Sequence, residues 1–234
     1  MYNETFLHDT YSKAHLNKNG ENQAKKLADI KKDIKKNEEV IFVLSPLSRT
    51  LETATPLMQK CFDDATIQQI TKTYYEIQKI YLDLRDKKAI IPHMQDNTKQ
   101  NLFQINEQVY MDFRITDVVV PDLQDKPWTA HLTVSKATNE KLMPESECMD
   151  QVFARNSAYI HEINKKFPTK TIITFTHKDS AISMLKTFKD FDYLTKKYDY
   201  SPANAQVNVR YRDNERNTEV DLHKPYIDNY WFKE

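Results

Sequence analysis

Arg49 and His177 are the two residues of this sequence best suited to handle an anion, and each comes shortly after an apolar run. A guanidinium presents a planar fork of N–H donors that can hold two phosphate oxygens at once. An imidazole can bind or release a proton near neutral pH. The elements that carry these two residues decide whether they can meet in one site.

The two apolar runs predict strands, and the residues that follow them predict helices. Residues 40–44 and 171–176 are short, β-branched and apolar, which is typical of buried strands. Ser45 followed by proline predicts an N-cap and a first helical turn, with a helix over 45–62. A second helix is predicted over 180–188. Because ligands bind beyond the carboxyl ends of parallel strands, the arginine and the histidine are expected at one such edge.

The rest of the chain predicts an α/β protein. Apolar residues recur at helical spacing through 20–36, capped by Asn17 or Asn19, and through 147–165. Alternation of helices with buried strands predicts a three-layer α/β/α sandwich with a mostly parallel central sheet. The remaining expected elements are a strand around 66–70, then a short helix or strand up to 84, a helix near 98–108, and a strand over 205–212.

We expect a single domain over residues 1–234, with an irregular insertion at about 86–146 and an aromatic tail at about 213–234. A long irregular stretch within a compact domain is usually functional or binds a partner. The aromatic residues of the tail could pack on their own domain or dock into another protein.

The composition excludes several classes of site. The chain has one glycine, so neither a GxGxxG dinucleotide turn nor a glycine-rich phosphate loop can be written. Positions of positive φ are therefore expected to fall to Asn or Asp. With 34 basic and 34 acidic residues, nothing in the net charge attracts nucleic acid. The seven histidines lack metal-ligand spacing. We expect no cofactor and no metal.

The cellular location is suggested only by what the sequence lacks. Its first 20 residues contain acidic residues and no arginine, so neither a signal peptide nor a mitochondrial presequence is expected. No apolar run approaches the roughly 20 residues that span a bilayer. Cys61 and Cys148 form no disulfide framework, which favours a reducing compartment. These features favour a cytoplasmic or cytoskeletal location.

Five segments occur in an order and spacing that point to a known family. The most specific is Ser-Pro-Leu-Ser-Arg-Thr-Leu-Glu-Thr-Ala, residues 45–54. The others, in chain order, are Leu16–Ala24, Leu84–Asp86, Pro144–Ser146 with Arg155, and Phe175–Asp179. Together they resemble the histidine phosphatase superfamily, the phosphoglycerate-mutase-like proteins, over residues 16–188. The resemblance implies the fold of that family.

The resemblance also implies a role for each matching residue. In the family, a histidine becomes phosphorylated, two arginines and a second histidine hold the phosphoryl oxygens, and an acidic residue protonates the leaving oxygen. By position, Arg49 would be the second phosphate-binding arginine and His177 the second histidine. Asp86 would be the proton donor, and Gly20 the structural glycine of the second motif.

Two departures from the family pattern affect the site. The sequence contains no Arg-His-Gly. His8 is a weak candidate for the nucleophile, with leucine and aspartate where the family has arginine and glycine, and it is more simply an exposed histidine. His15 is a poorer candidate. The late His-Gly has become His177-Lys178, which puts a long side chain where backbone would pack beside the pocket.

Each candidate residue also has an ordinary structural explanation. Arg49 could pair with a neighbouring carboxylate such as Glu52 or Asp179. His177 could be a hydrogen-bonded residue at a strand end. Asp86 could be an unremarkable loop carboxylate.

Three functions therefore stay open. We favour a catalytically inactive histidine-phosphatase-like protein that serves as a structural or accessory subunit, with other proteins of a larger assembly as its partners. The first alternative is an active phosphohydrolase or mutase that acts through a phosphohistidine. The second is a non-catalytic binder of a phosphorylated ligand.

Overall fold

A computed structural model describes residues 15–32, 34, 39–119 and 146–186, together with the backbone of 211–213 and 218–220. The helices are α1 (Lys18–Leu27), α2 (Ser48–Met58), α3 (Asp64–Asp86), α4 (Ile90–Gln95), α5 (Met149–Lys166) and α6 (Lys178–Lys186), and 3-10 turns cover Ala28–Lys32 and Phe113–Ile115. The strands are β1 (Val40–Leu44), β2 (Leu102–Gln104), β3 (Val109–Asp112), β4 (Thr171–Phe175), β5 (Tyr211–Asp213) and β6 (Thr218–Val220).

The central sheet has four strands in the order β2-β3-β1-β4. β1 is parallel to both β3 and β4, and β2 pairs antiparallel with β3. All five residues of β1 are buried, because this strand lies inside the sheet and has helices on both faces. β5 and β6 form a separate antiparallel hairpin.

Alternate residues of β1 face two different cores, which makes the structure a three-layer sandwich. Phe42 and Leu44 pack in the larger core with buried side chains of α2, α3 and α4. Ile41 and Val43 pack in the smaller core with Tyr159 and other residues of α5. The structure confirms the predicted α/β class and the mostly parallel sheet.

The predicted strand at 66–70 is wrong, since these residues belong to the 23-residue helix α3. Asp63 caps the helix, and its Oδ1 accepts a hydrogen bond of 2.7 Å from the Thr66 amide. Buried side chains then recur every three or four residues, including Ile70, Tyr74 and Tyr81. The helical period over six turns outweighs the strand preference of a few β-branched residues.

The predicted helix near 98–108 is also wrong. Residues 102–112 form the β2–β3 hairpin, and β3 lies beside β1 within the sheet. Asn106 makes the turn, because its Oδ1 accepts hydrogen bonds from the amides of Gln108 at 2.8 Å and Val109 at 2.7 Å. A stretch that the sequence analysis placed in the irregular insertion therefore supplies two of the four strands.

The helix after β1 begins and ends differently from the prediction. It starts at Ser48 with Leu47 in the cap position, so Ser45 is not its N-cap, and it ends at Met58 rather than at residue 62. No side chain caps the first turn at Leu47, and the Thr50 hydroxyl donates from Oγ1 to the Leu47 carbonyl at 2.6 Å. The hydroxyl of Ser45 is consequently available for another partner.

Three further helices correspond to predicted ones, although their ends differ, and the prediction for positive φ is wrong. α5 and α6 correspond to the helices predicted over 147–165 and 180–188, although the description of α6 ends at residue 186. α1 is capped by Asn17 and ends at Leu27, where a 3-10 turn replaces the predicted continuation. Among the described residues, positive φ occurs at Lys88 (56°) and not at an Asn or Asp. Of the predicted tail, the structure describes only the backbone of residues 213 and 218–220, so the aromatic residues at 226–232 lie outside the described residues, as does the insertion between 120 and 145.

Candidate functional site at the carboxyl ends of the strands

The turn after β1 is fixed by the neighbouring elements. The Ser45 amide donates to the carbonyl of Phe175, the last residue of β4, at 3.0 Å. The hydroxyl of Tyr74 donates to the Ser45 carbonyl at 2.8 Å, and the side-chain Nε2 of Gln78 donates to the Pro46 carbonyl at 2.6 Å. Helix α3 thus fixes the backbone from which α2 and its arginine start.

His177 and Arg49 meet at this edge of the sheet, as the sequence predicted. Nη2 of Arg49 lies 3.2 Å from Nδ1 of His177, and the hydroxyl of Ser45 lies 2.8 Å from Nε2. A guanidinium can only donate, so Nδ1 must be the acceptor. The neutral ring therefore carries its proton on Nε2 and donates it to Ser45 Oγ.

The environment of His177 keeps the imidazole neutral. Burial, and next the positive charge of Arg49, lower the pKa of His177 to about 3, whereas Asp117 acts in the opposite direction. Near neutral pH this histidine is therefore a hydrogen-bonding group without charge.

A carboxylate that the sequence analysis did not single out completes the cluster. Oδ2 of Asp117 accepts a hydrogen bond of 3.1 Å from Nη2 of Arg49 and lies 4.0 Å from Nδ1 of His177. The side chains of Arg49 and Asp117 are 21% and 17% exposed, so water reaches this pair to a limited extent. We call Ser45, Arg49, Asp117 and His177 the strand-end cluster.

Asp117 reaches the cluster because it follows β3, the neighbour of β1 in the sheet. A 3-10 turn, Phe113–Ile115, leads from the strand toward it. The hydroxyl of Thr176, just beyond β4, donates to the Ile115 carbonyl at 2.7 Å. The carboxyl ends of β1, β3 and β4 are thus tied together, and each provides a member of the cluster.

A second ion pair, Glu147–Arg155, contacts the loop formed by residues 114–117. Nε of Arg155 on α5 donates to one oxygen of Glu147 at 2.6 Å, and Nη2 donates to the other at 3.0 Å. Both side chains are fully buried. Arg155 also donates to the backbone of Arg114, Thr116 and Asp117. The carboxylate that meets Arg155 is Glu147, whereas Glu145 of the family-like segment lies outside the described residues.

The other predicted site residues do not join the strand-end cluster in the described structure. Asp86 ends α3 with its side chain 60% exposed and pairs with Arg85 at 2.8 Å. His15 is bonded to Glu52, whose other oxygen accepts from the Leu16 amide at 2.7 Å. His8 lies outside the described residues.

Asp117 could have been found from the rule that ligands meet the carboxyl ends of parallel strands. That inference needed β3 to be recognised as a strand, whereas the sequence predicted a helix near 98–108 and an irregular segment after it. The family-like Leu-Arg-Asp segment directed attention to Asp86 instead.

The chemistry available to the cluster is that of anion binding with a carboxylate beside it. Arg49 supplies a permanent positive charge, and Asp117 competes for that charge with any oxyanion that enters. No group of three or more potential metal ligands occurs among the described residues. In the same part of the chain, no helix is both long and apolar enough to cross a bilayer.

Comparison with known proteins gives a likeness to solved structures only. No protein-family model matches the chain, and no curated sequence matches it. A native mycobacterial glucosyl-3-phosphoglycerate phosphatase shares 14% identity with a TM-score of 0.48, covering 82% of this chain and 76% of its own. The same phosphatase in complex with VO3 gives a TM-score of 0.49 at 14% identity, over 82% and 78% of the two chains. A protein named mycobacterial hydrolase 1 gives 0.48 at 14% identity, over 82% and 77%.

These TM-scores and identities concern the fold and extend to no residue's role.

Proposed function

We propose that this chain is a non-catalytic, histidine-phosphatase-like protein that serves as a structural or accessory subunit of a larger assembly. The observation that carries the proposal is the ion pair between Arg49 and Asp117 at the strand ends. Arg49 would bind the phosphate in such a site, but here its guanidinium already pairs with the carboxylate of Asp117.

Two further features support loss of turnover. The sequence contains no Arg-His-Gly, the motif that would supply the phosphorylated histidine. His177 is buried and neutral, so it brings no positive charge to a phosphoryl group. The three described histidines other than His177 are bound elsewhere or exposed: His15 to Glu52, His93 to the Gln100 carbonyl, and His161 on an exposed face of α5.

One observation favours the catalytic alternative. Asp117 stands beside both Arg49 and His177, which is where a proton donor for a leaving oxygen would be needed. An active phosphohydrolase would use Asp117, and not Asp86, in that role.

Turnover separates the two functions. The full chain is incubated with p-nitrophenyl phosphate from pH 5 to pH 8 and compared with the His177→Ala and Asp117→Asn variants. We expect the same background release of p-nitrophenol from all three proteins. Release by the parent chain that both substitutions abolish would establish the phosphohydrolase and contradict our proposal.

The accessory role needs a separate measurement. The tagged chain, expressed at its natural level, is purified and its mass in solution is determined. We expect a stoichiometric complex with other proteins that persists when the tag is moved to one of those proteins. A chain that elutes alone from its native cell extract would contradict an accessory role.

A further inference from the structure

We propose that Arg155 is a positioning residue. It holds the loop of residues 114–117 so that Asp117 stays against Arg49, and it thereby sets how weakly the strand-end cluster binds an oxyanion. The inference deepens the proposed function and rests on it, since it explains how the carboxylate is kept in the place of a ligand.

The contacts of Arg155 are concentrated on this loop. Nη1 donates to the carbonyl of Arg114 and, at 3.1 Å, to that of Thr116. Nη2 donates to the carbonyl of Asp117 at 3.2 Å. One rigid guanidinium therefore fixes three of four successive carbonyl groups, and a planar fork loses little freedom in doing so.

Asp117 is held from two sides by two arginines. Its backbone carbonyl accepts from Arg155, while Oδ2 of its side chain accepts from Arg49. The remaining carboxylate oxygen, Oδ1, accepts from the Val118 amide at 3.1 Å. Since the backbone hydrogen bond comes from α5, the direction of the Asp117 side chain depends on that helix.

Glu147 makes the attachment of Arg155 stable. Its carboxylate binds the guanidinium through both oxygens, and one of them also accepts from the Val119 amide at 3.1 Å. The Glu147 amide in turn donates to the Val119 carbonyl at 3.0 Å. The start of α5 and the end of the Asp117 loop are thus joined by both backbone and side chains.

Ser180 on α6 supports the same loop. Its hydroxyl donates to the Thr116 carbonyl and lies 3.5 Å from Nη1 of Arg155. Because His177 directly precedes α6, with its carbonyl accepting from the Ala181 amide at 2.7 Å, the loop and the histidine are fixed to one helix.

The test measures the affinity of the full chain for inorganic phosphate by titration calorimetry at pH 7. Glu147→Gln combined with Arg155→Gln removes both buried charges together, so that neither is left unpaired. Asp117→Asn removes the competing carboxylate directly. We expect Asp117→Asn to tighten phosphate binding about tenfold or more, the effect of one charged hydrogen bond. The Glu147/Arg155 pair of substitutions should tighten it in the same direction.

Combining all three substitutions distinguishes positioning from a general effect. If Arg155 acts through Asp117, the triple variant binds phosphate no more tightly than Asp117→Asn alone, since the two routes share one cause. Additive effects, or wild-type affinity in the Glu147/Arg155 variant, would overturn the proposal.

Two controls address folding and location. Met94→Ala removes a buried side chain in the larger core, and it should lower the melting temperature while leaving phosphate affinity unchanged. Arg49→Met should abolish the tightened binding. If the Glu147/Arg155 variant does not fold, Arg155→Lys replaces it, because a lysine keeps the charge but its three donors cannot bind both Glu147 oxygens and three carbonyls together.

The nitrogen NMR shifts of the His177 imidazole give a second readout that a merely structural role would not move. Asp117→Asn and the Glu147/Arg155 variant should shift Nδ1 alike, because both alter the Arg49 donor. If Asp117→Asn changes neither phosphate affinity nor these shifts, the proposal also fails.

Phosphomonoester turnover by the parent chain would overturn the proposed function but would leave the affinity comparison to decide the role of Arg155.

Discussion

Two arginine–carboxylate pairs meet at Asp117 and differ in their access to water. The Arg49–Asp117 pair lies at the sheet edge with about a fifth of each side chain exposed, whereas the Glu147–Arg155 pair is fully buried. Asp117 joins them, because its side chain serves Arg49 and its carbonyl serves Arg155. Solute anions cannot replace the Glu147 carboxylate in the buried pair. In the partly exposed pair, a solute anion can replace the Asp117 carboxylate at Arg49.

The difference also separates stability from function. A buried charge that loses its partner is strongly destabilising, because water cannot replace what was lost. A partly exposed charge that loses its partner regains part of its hydration, and its interactions are screened by salt. We therefore expect the Glu147–Arg155 pair to determine the stability of the loop at residues 114–117. The Arg49–Asp117 pair is expected to determine how tightly the strand-end cluster binds an anion.

The largest expected effect comes from breaking the buried pair at one side. Arg155→Met leaves the Glu147 carboxylate buried without its partner, so we expect the free energy of unfolding to fall by about 3–5 kcal/mol. Urea denaturation followed by circular dichroism measures it. Adding Glu147→Gln should restore part of the loss, and a single Arg155→Met variant as stable as its parent would contradict the role given to this pair.

The next effect concerns pH and the neutral imidazole of His177 in the strand-end cluster. The pKa of His177 is about 3 in the folded protein, below the value near 6.5 of an unfolded histidine. The unfolded chain therefore takes up a proton first as pH falls, and stability is lost between pH 6.5 and pH 3 and retained above that window. From pH 7 to pH 5 we expect a loss of about 2 kcal/mol from this residue.

The measurement compares the parent chain with His177→Gln, which keeps an acceptor for Arg49 but does not titrate. Urea unfolding at pH 7 and pH 5 gives, for each protein, the change in the free energy of unfolding between the two pH values. Subtracting the change in His177→Gln from that in the parent removes the contribution of the carboxylates. Equal pH dependence in the two proteins would show that the imidazole is accessible to protons in the folded state.

How much of this site could be predicted depends on the range of the interactions involved. The two apolar runs around Val40–Leu44 and Thr171–Phe175 were enough to place Arg49 and His177 at one edge. Local patterning marks both strands, each residue comes shortly after its own strand, and the carboxyl ends of parallel strands lie at the same edge of the sheet. The carboxylate could not be placed in the same way. Its position depends on which strand lies beside β1, and Asp117 is 68 residues from Arg49 along the chain.

The errors within single elements have the same origin. A few β-branched residues around 66–70 look like a strand until the repeat of buried residues over the whole of α3 is counted. Ser45 has the sequence of a cap, but its hydroxyl lies 2.8 Å from Nε2 of His177, a residue 132 positions away. The Ser45 hydroxyl therefore makes a tertiary contact with His177 instead of the helix cap that its local sequence predicts.

A smaller effect is expected from the outer pair. Asp117→Asn keeps a hydrogen-bond acceptor beside Arg49 but removes the charge, so the free energy of unfolding should fall by about 1 kcal/mol. Raising the salt concentration to about 1 M should reduce this difference, because the pair is partly solvated. The loss caused by Arg155→Met should stay the same in that salt. Equal salt dependence of the two losses would remove the distinction between the pairs.

The smallest effect is expected at Asp86, the carboxylate that the family-like segment first suggested as a proton donor. Its side chain is 60% exposed and pairs with the adjacent Arg85 on the surface. Asp86→Asn should therefore change the free energy of unfolding by less than about 0.5 kcal/mol and leave phosphate affinity at the parent value. Urea unfolding and phosphate titration, run beside Asp117→Asn, measure both. Suppose that Asp86→Asn changed phosphate affinity as much as Asp117→Asn does. A surface carboxylate would then influence the site as strongly as one bonded to Arg49, and the position of Asp117 beside Arg49 would not explain its effect.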